Sequence, residues 1–272
     1  MGLINTLTFD GINSSEYGVY LSGDGAYNAP ARRGEMVTIP GRNGSLFMEE
    51  DAFENITVTY PAFIGTKSKV IFRDALRNLR TDFSARKTYK RLSDTYHPDE
   101  FRLGVFHDGV ETDPMFYTMA GRFNLVFDCK PQRFLVSGEY PVTFTSSGNI
   151  TNPSPLASKP LLKVTGNGTF GIGEYQVTVQ NNPGTIWIDC ELMEVYVPAA
   201  ERYKWTDEND AIMTDEHYFD IEFANGAVNP GNMLKYVIFK DHLFPMIEEG
   251  MQPVDISAGI TELVIIPRWW VL

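Results

Sequence analysis

Four histidines, His97, His107, His217 and His242, are the first places to look for chemistry, because imidazole titrates near neutral pH and ligates metals. No two of them stand at metal-ligand spacing, and none sits in an H-E-x-x-H pattern. His97 precedes Pro98 in DTYHPDE, a turn-like string that predicts a surface loop. Carboxylates cluster at Asp207, Glu208, Asp210, Asp215 and Glu216. A glycosidase needs two carboxyl groups facing each other across a sugar, and any acidic chain offers such pairs. Calcium would need the EF-hand spacing, which Asp207-Glu208-Asn209-Asp210 lacks, so a solvated loop is expected there.

Nucleophile and cofactor motifs are also missing. There is no G-x-S-x-G. Gly34 and Gly44 are not followed by a phosphate-loop pattern, and Gly166-Asn167-Gly168 fits a strand-ending turn better than a dinucleotide fingerprint. Cys129 and Cys190 make neither a disulfide framework nor a zinc site and read as small buried apolar residues. No catalytic residue, metal or cofactor is expected.

Two kinds of residue could serve recognition instead. Trp187 and Trp205 could stack on sugar rings, which would make the chain a glycan-binding adhesion module. Trp269 and Trp270 are adjacent, and adjacent strand residues point to opposite faces, so one is expected in a core and the other against a neighbouring element. Arg42 and Asn43 sit at the tip of a turn, Gly41-Arg42-Asn43-Gly44, with Phe47 and Met48 just after. Asn-Gly supplies the positive φ angles of a tight hairpin. A protruding turn of this kind makes Arg42, Asn43, Phe47 and Met48 candidate subunit contacts, against the plainer alternative of a solvated hairpin.

These residues are positioned by a mainly β chain. Of its 272 residues, 43% are apolar and 13% aromatic, enough for packed cores and favouring strands. Ile56, Val58 and Tyr60 alternate with Asn55, Thr57 and Thr59, the pattern of a half-buried strand. Phe72, Ala75, Leu76, Leu79 and Phe83 recur at spacings of three and four, predicting an amphipathic helix over 68–83 capped by Thr66 or Ser68. Gly121 to Asp128 predicts a strand that stops at Pro131 and turns around Gln132 and Arg133. A β-rich unit then ends near Ser147. Pro153, Pro155 and Pro160 mark a linker, since proline cannot donate to a sheet ladder. Beyond it, Leu161–Val164, Tyr175–Val179, a run of Ile186, Ile188, Cys190 and Leu192 on one face, Tyr218–Phe223, Leu234–Phe239 and Leu263–Ile266 predict a β-sandwich. The expected domains are 1–147 and 148–272.

Charge narrows the partners. Lys and Arg total 23 against 35 Asp and Glu, a net charge of -12, which repels phosphate backbones. No apolar run approaches the ~20 residues of a membrane helix, and MGLINTLTFDG lacks the basic start and apolar core of a signal peptide.

The order of several strings resembles one family. FDGINSSEYGVYL, IPGRNGSLFMEEDAFENITVTY, LRNLRTDF, DTYHPDEFRLGVF, FNLVFDCKPQRFLVSGE, NPSPLASKPLLKVTGNG, WIDCELMEVY and IIPRWWVL are similar, in that order, to distal tail proteins of long-tailed, non-contractile bacteriophages. No single string is decisive; the order over almost the whole length carries the likeness. The resemblance implies a split β-barrel-like N-terminal domain with one main helix and a galectin-like C-terminal β-sandwich. It leaves open whether the last strand returns to the first domain. It further implies a non-enzymatic virion protein at the tail tip, assembled in the host bacterial cytoplasm. Six copies would close into a ring joining the tail tube protein to the tail-associated tip protein, and in some cases to a receptor-binding protein. DNA would pass through the channel without specific binding, and no membrane insertion is implied.

Overall fold

The computed structural model describes residues 5–23, 25, 27–107, 112–115, 120–182, 184–196 and 233–272. The chain divides into two compact units, Met1–Val136 with Leu272, and Ser137–Val271. Sequence reasoning places the boundary at 147/148. In the structure the passage comes earlier, because Val142–Phe144 already pairs with Ile265, Val264 and Leu263 of the second unit.

The first unit is built on one curled antiparallel sheet. Its strands are β1 (Leu7–Phe9), β2 (Ile12–Asn13), β3 (Val19–Leu21), β6 (Ile56–Gly65), β7 (Lys90–Asp94), β8 (Glu100–Val105) and β10 (Ala120–Leu135), ordered β2-β1-β7-β8-β10-β6-β3; β9 (Thr112–Met115) pairs with β10. Among the described residues, two further strands, β4 (Arg32–Thr38) and β5 (Ser45–Phe53), pair only with each other. Alternation along β6 is strict: Ile56, Val58, Tyr60, Ala62 and Ile64 are buried, and the residues between them are exposed. Phe123, Leu125, Phe127 and Cys129 of β10 bury the same way.

Among the described residues the one α-helix is α1 (Lys69–Ser84). Ser68 caps it, its side chain accepting from the Ile71 amide at 3.2 Å. Leu76, Leu79 and Phe83 are its buried stripe. Phe83 meets Phe9 edge-on with ring centres 5.3 Å apart, and Phe106 at 5.6 Å. Such aromatic packing adds roughly 0.5–1.5 kcal/mol per pair beyond area burial.

The predicted stop at Pro131 is wrong. Strand β10 runs through it to Leu135. The register on β8 shifts between Cys129 and Arg133, so Pro131 sits in the irregular stretch where no ladder bond is required of it.

The second unit is a sandwich of two five-stranded antiparallel sheets. One has the order β11 (Val142–Phe144), β20 (Ile260–Ile266), β13 (Leu161–Gly166), β16 (Thr185–Asp189), β17 (Glu194–Tyr196). The other has β12 (Gly148–Asn152), β19 (Gly250–Ile256), β14 (Gly168–Ile172), β15 (Tyr175–Val179), β18 (Val237–Phe239). Each buries one face: Leu162, Val164, Ile186, Ile188, Leu263 and Ile265 from the first, Phe170, Ile172, Val177, Val179 and Val254 from the second. Leu192, expected on the buried face, is exposed because β16 ends at Asp189 and the chain turns. Trp269 is core, and Trp270 donates its indole N–H to the Ala157 carbonyl at 2.9 Å. The predicted strand over 218–223 lies outside the described residues.

Candidate assembly surface

Strands β4 and β5 form a two-stranded ribbon that is exposed over most of its length. The turn between them spans 39–44, longer than the tight Asn-Gly hairpin expected. Gly41 (φ 81°) and Gly44 (φ 82°) take the left-handed positions, while Asn43 does not. The Arg42 amide closes the turn on the Ile39 carbonyl at 3.2 Å. Arg42 and Asn43 are therefore both exposed at the tip.

Register shows what the ribbon presents. Met36 pairs with Phe47, Val37 with Leu46, and Glu35 with Met48. Directly opposed residues share a face, and neighbours along a strand alternate. Met36 and Phe47 therefore lie on one face, and Val37, Leu46 and Met48 on the other. Met36 is 68% exposed and Met48 56%. A solvated hairpin would turn one polar face to water; this ribbon is apolar on both. Apart from Glu35 opposite Met48 and Arg42 at the tip, its charges lie towards the base, where Arg32 meets Glu49, and Arg33 reaches Glu54 at 3.2 Å and Glu50 at 3.8 Å. The proposed contacts Arg42, Asn43, Phe47 and Met48 are thus brought onto one element. Sequence reasoning missed Met36 and Leu46, whose strand partners could have been found by extending the turn outward in antiparallel register.

A second polar group lies at one end of the first unit's core. Asp94 accepts from the Tyr60 hydroxyl at 2.8 Å, from the Tyr96 and His97 amides at 2.9 and 3.0 Å, and faces His97 Nδ1 at 3.3 Å. His97 lies in the loop expected, within the bends and turn over 95–99, and is half-buried there against Asp94. Burial, with the Asp94 carboxylate second, holds the Tyr60 hydroxyl well above the usual phenol range, so it stays a donor. Cys129 is buried, and burial pushes its thiol up to about 12; burial raises the Cys190 thiol too. Neither is a thiolate nucleophile at neutral pH.

Trp187 is half-buried on β16, opposite Lys163 and Tyr196, with its indole nitrogen shielded from solvent. Only part of its ring surface is open to a sugar. Trp205 and the acidic cluster of Asp207, Glu208, Asp210, Asp215 and Glu216 lie outside the described residues. Among the described residues no three His, Cys, Asp or Glu side chains are grouped to hold a metal ion, and no helix is long and apolar enough to cross a membrane.

Comparison with known proteins places this geometry. Residues 12–129 match the family described as phage tail protein RIFT-related domain. The crystal structure of phage SPP1 Dit (gp 19.1), described as a paradigm of the hub adsorption apparatus in phages infecting Gram-positive bacteria, is similar over 97% of this chain and 98% of that chain, with a TM-score of 0.61 and 11% identity. At that identity the likeness is one of fold. The phage P2 baseplate in its activated conformation with Ca covers the same shares of the two chains, with a TM-score of 0.47 and 8% identity. No curated protein matches the sequence.

Proposed function

We propose that this chain, whose residues 12–129 belong to the phage tail protein RIFT-related family and whose whole length has the fold of a siphophage distal tail protein, is a non-enzymatic hub of the phage tail tip. In this reading six copies close into a ring. The ring links the tail tube protein to the tail-associated tip protein, and in some phages to a receptor-binding protein. Its open centre passes DNA, its place is the virion tail tip, and it is assembled in the host cytoplasm. The galectin-like sandwich supplies a platform rather than a lectin, because fold alone does not confer binding.

The observation that carries the proposal is the ribbon of β4 and β5. An isolated two-stranded hairpin is at best marginally stable in water. This one adds exposed Met36, Leu46 and Met48. Apolar surface on both faces, with strand edges open to further pairing, favours insertion against a neighbouring copy. A ring closes when one patch meets a different patch on the next subunit. An arm received by the adjacent body meets that requirement.

A photoreactive amino acid in place of Met48 tests it. Crosslinks from that position should join two copies of this chain. Crosslinking confined to the same copy, at concentrations where the protein is otherwise assembled, would remove the arm from the interface.

A further inference from the structure

Helix α1 begins in a way that does not suit a helix facing water. Lys67 and Lys69 stand at its positive end, with no acidic residue in the first turn, and cations there oppose the helix dipole. Val70 and Ile71 follow, 58% and 54% exposed, although β-branched residues are weaker helix formers than the charged side chains usual on an outer face. With Ser68 as the cap, a glutamate at position 71 would complete a capping box, and isoleucine stands there instead. Local choices that conflict with their surroundings concentrate at functional sites.

The charge of this face is also out of keeping with the chain. Between positions 67 and 87 stand seven Lys and Arg against two Asp, while the net charge of the whole is -12. Val70, Arg73, Asp74 and Arg77 recur at helical spacings and share one stripe. Arg73 and Arg77 are exposed, and both reach the single carboxylate of Asp74, at 3.3 and 3.4 Å. One anion between two guanidinium groups leaves surplus positive charge beside two exposed apolar side chains.

The β4–β5 arm carries the complement. Glu35 stands directly opposite Met48, on the face that also holds Val37 and Leu46. Glu50, two residues beyond Met48, is exposed, with Arg33 a long 3.8 Å away. The arm and the helix start also leave opposite ends of β6. The base of the arm, where Arg32 pairs with Phe53, leads into Ile56, and α1 begins just after Gly65. The ten residues of β6 set the two about 30 Å apart. A donor and an acceptor at different ends of one subunit suit head-to-tail closure.

We propose, resting on the reading of the arm given above, that the exposed start of α1 on one copy receives the β4–β5 arm of the next. Val70 and Ile71 meet Leu46 and Met48, while Arg73 and Arg77 meet Glu35 and Glu50. Apolar contact supplies the affinity, and the opposed charges fix register and exclude other partners.

The test maps where the photoreactive group at Met48 of the full chain lands, by mass spectrometry of the crosslinked peptides. Crosslinks between copies within residues 67–77 are expected. Crosslinks between copies that fall elsewhere would overturn this acceptor and leave the arm in the interface; crosslinks confined to one copy would remove both. Ile71→Glu supplies an independent measurement. It completes the capping box, so the melting temperature should hold or rise, while assembly should weaken about tenfold or more against the arm's carboxylates. Mixed with the chain carrying Met36→Ser and Met48→Ser, which keeps the acceptor and lacks the arm, it should give a two-copy complex that neither forms alone. Unweakened assembly of folded Ile71→Glu, or no two-copy complex in the mixture, would overturn the proposal. Duplex DNA retained by the wild type and released by Arg73→Glu would give this face to nucleic acid instead.

Discussion

The ring of Phe47 fills the space that a side chain at position 34 would need: a Cβ on Gly34 would stand 2.7 Å from Phe47 Cζ and 2.5 Å from the Met48 carbonyl oxygen. The backbone of Gly34 is extended, so the glycine is there for room rather than for an unusual turn. An aromatic residue covering a glycine on the paired strand pins the register of a ribbon that has no core beneath it. In Gly34→Val the two strands must part or slip. The two packed units do not depend on this contact, so their melting should change by no more than about 0.5 kcal/mol. Assembly, read by light scattering, should be lost. Intact assembly in a well-folded Gly34→Val protein would show that the ribbon's shape does not matter.

An ion pair between buried Asp189 and half-buried Arg268 should make the second unit sensitive to acid. Arg268 donates Nη1 and Nη2 to the two carboxylate oxygens of Asp189 at 2.7 and 2.8 Å. Burial would raise the Asp189 pKa, but the Arg268 hydrogen bonds and charge, with the Leu192 and Glu191 amides, outweigh it and hold the carboxyl below its ordinary 3.8. A depressed carboxyl contributes its full stability above the unfolded pKa and loses it as pH falls through the folded one. Melting followed downward from neutral pH should therefore show a loss beginning below about pH 4 that is absent in Asp189→Asn. Breaking the pair at neutral pH should cost about 1.5–3 kcal/mol, because charge-assisted hydrogen bonds are lost while half-buried Arg268 stays partly open to water.

Asn152 holds an irregular corner of the sandwich. Its side-chain amide donates to the Ile247 and Leu156 carbonyls at 2.9 and 3.0 Å, and its oxygen accepts from the Ser154 amide at 2.9 Å. The residue is 2% exposed. Asn152→Ala would leave those buried groups unsatisfied and should destabilise the chain by about 2–3 kcal/mol in urea unfolding. A change below about 0.5 kcal/mol would mean that solvent replaces all three bonds.

Much of the fold is legible in the sequence where one face meets a core and the other meets water. Ile56, Val58 and Tyr60 alternate because β6 is half-buried, and Leu76, Leu79 and Phe83 stripe α1 because one side docks. Legibility fails where that contrast fails. The ribbon shows no clean alternation around Met36-Val37 or Phe47-Met48, since both faces carry apolar residues, so strand β4 goes unread. Its tip, Arg42 and Asn43, is marked by glycines and is found easily. Arg102 is missed for the opposite reason: a lone arginine in a strand reads as solvent-facing, and only the register with Leu92 and Arg133 puts it on the inner face. Pro131 misleads because a local rule about ladder bonds gives way at an irregular register.

The acidity of the chain predicts how it treats nucleic acid. With a net charge of -12, a bore through which DNA slides should carry an excess of Asp and Glu. Duplex DNA should run unretarded in a mobility assay with this protein even at low salt, where cationic contacts would be strongest. Retardation that weakens as salt is added would identify a basic surface and contradict a non-sticking channel.

In the proposed ring, identical copies lock together around an open centre through the β4–β5 arm. Native mass measurement with negative-stain imaging of the full chain, beside a variant carrying Met36→Ser and Met48→Ser, tests it most directly. A six-membered ring with a central hole in the wild type, reduced to folded monomer in the variant, is the predicted result. A wild-type chain that stays monomeric at every concentration, or a ring that survives in the variant unchanged, would contradict it.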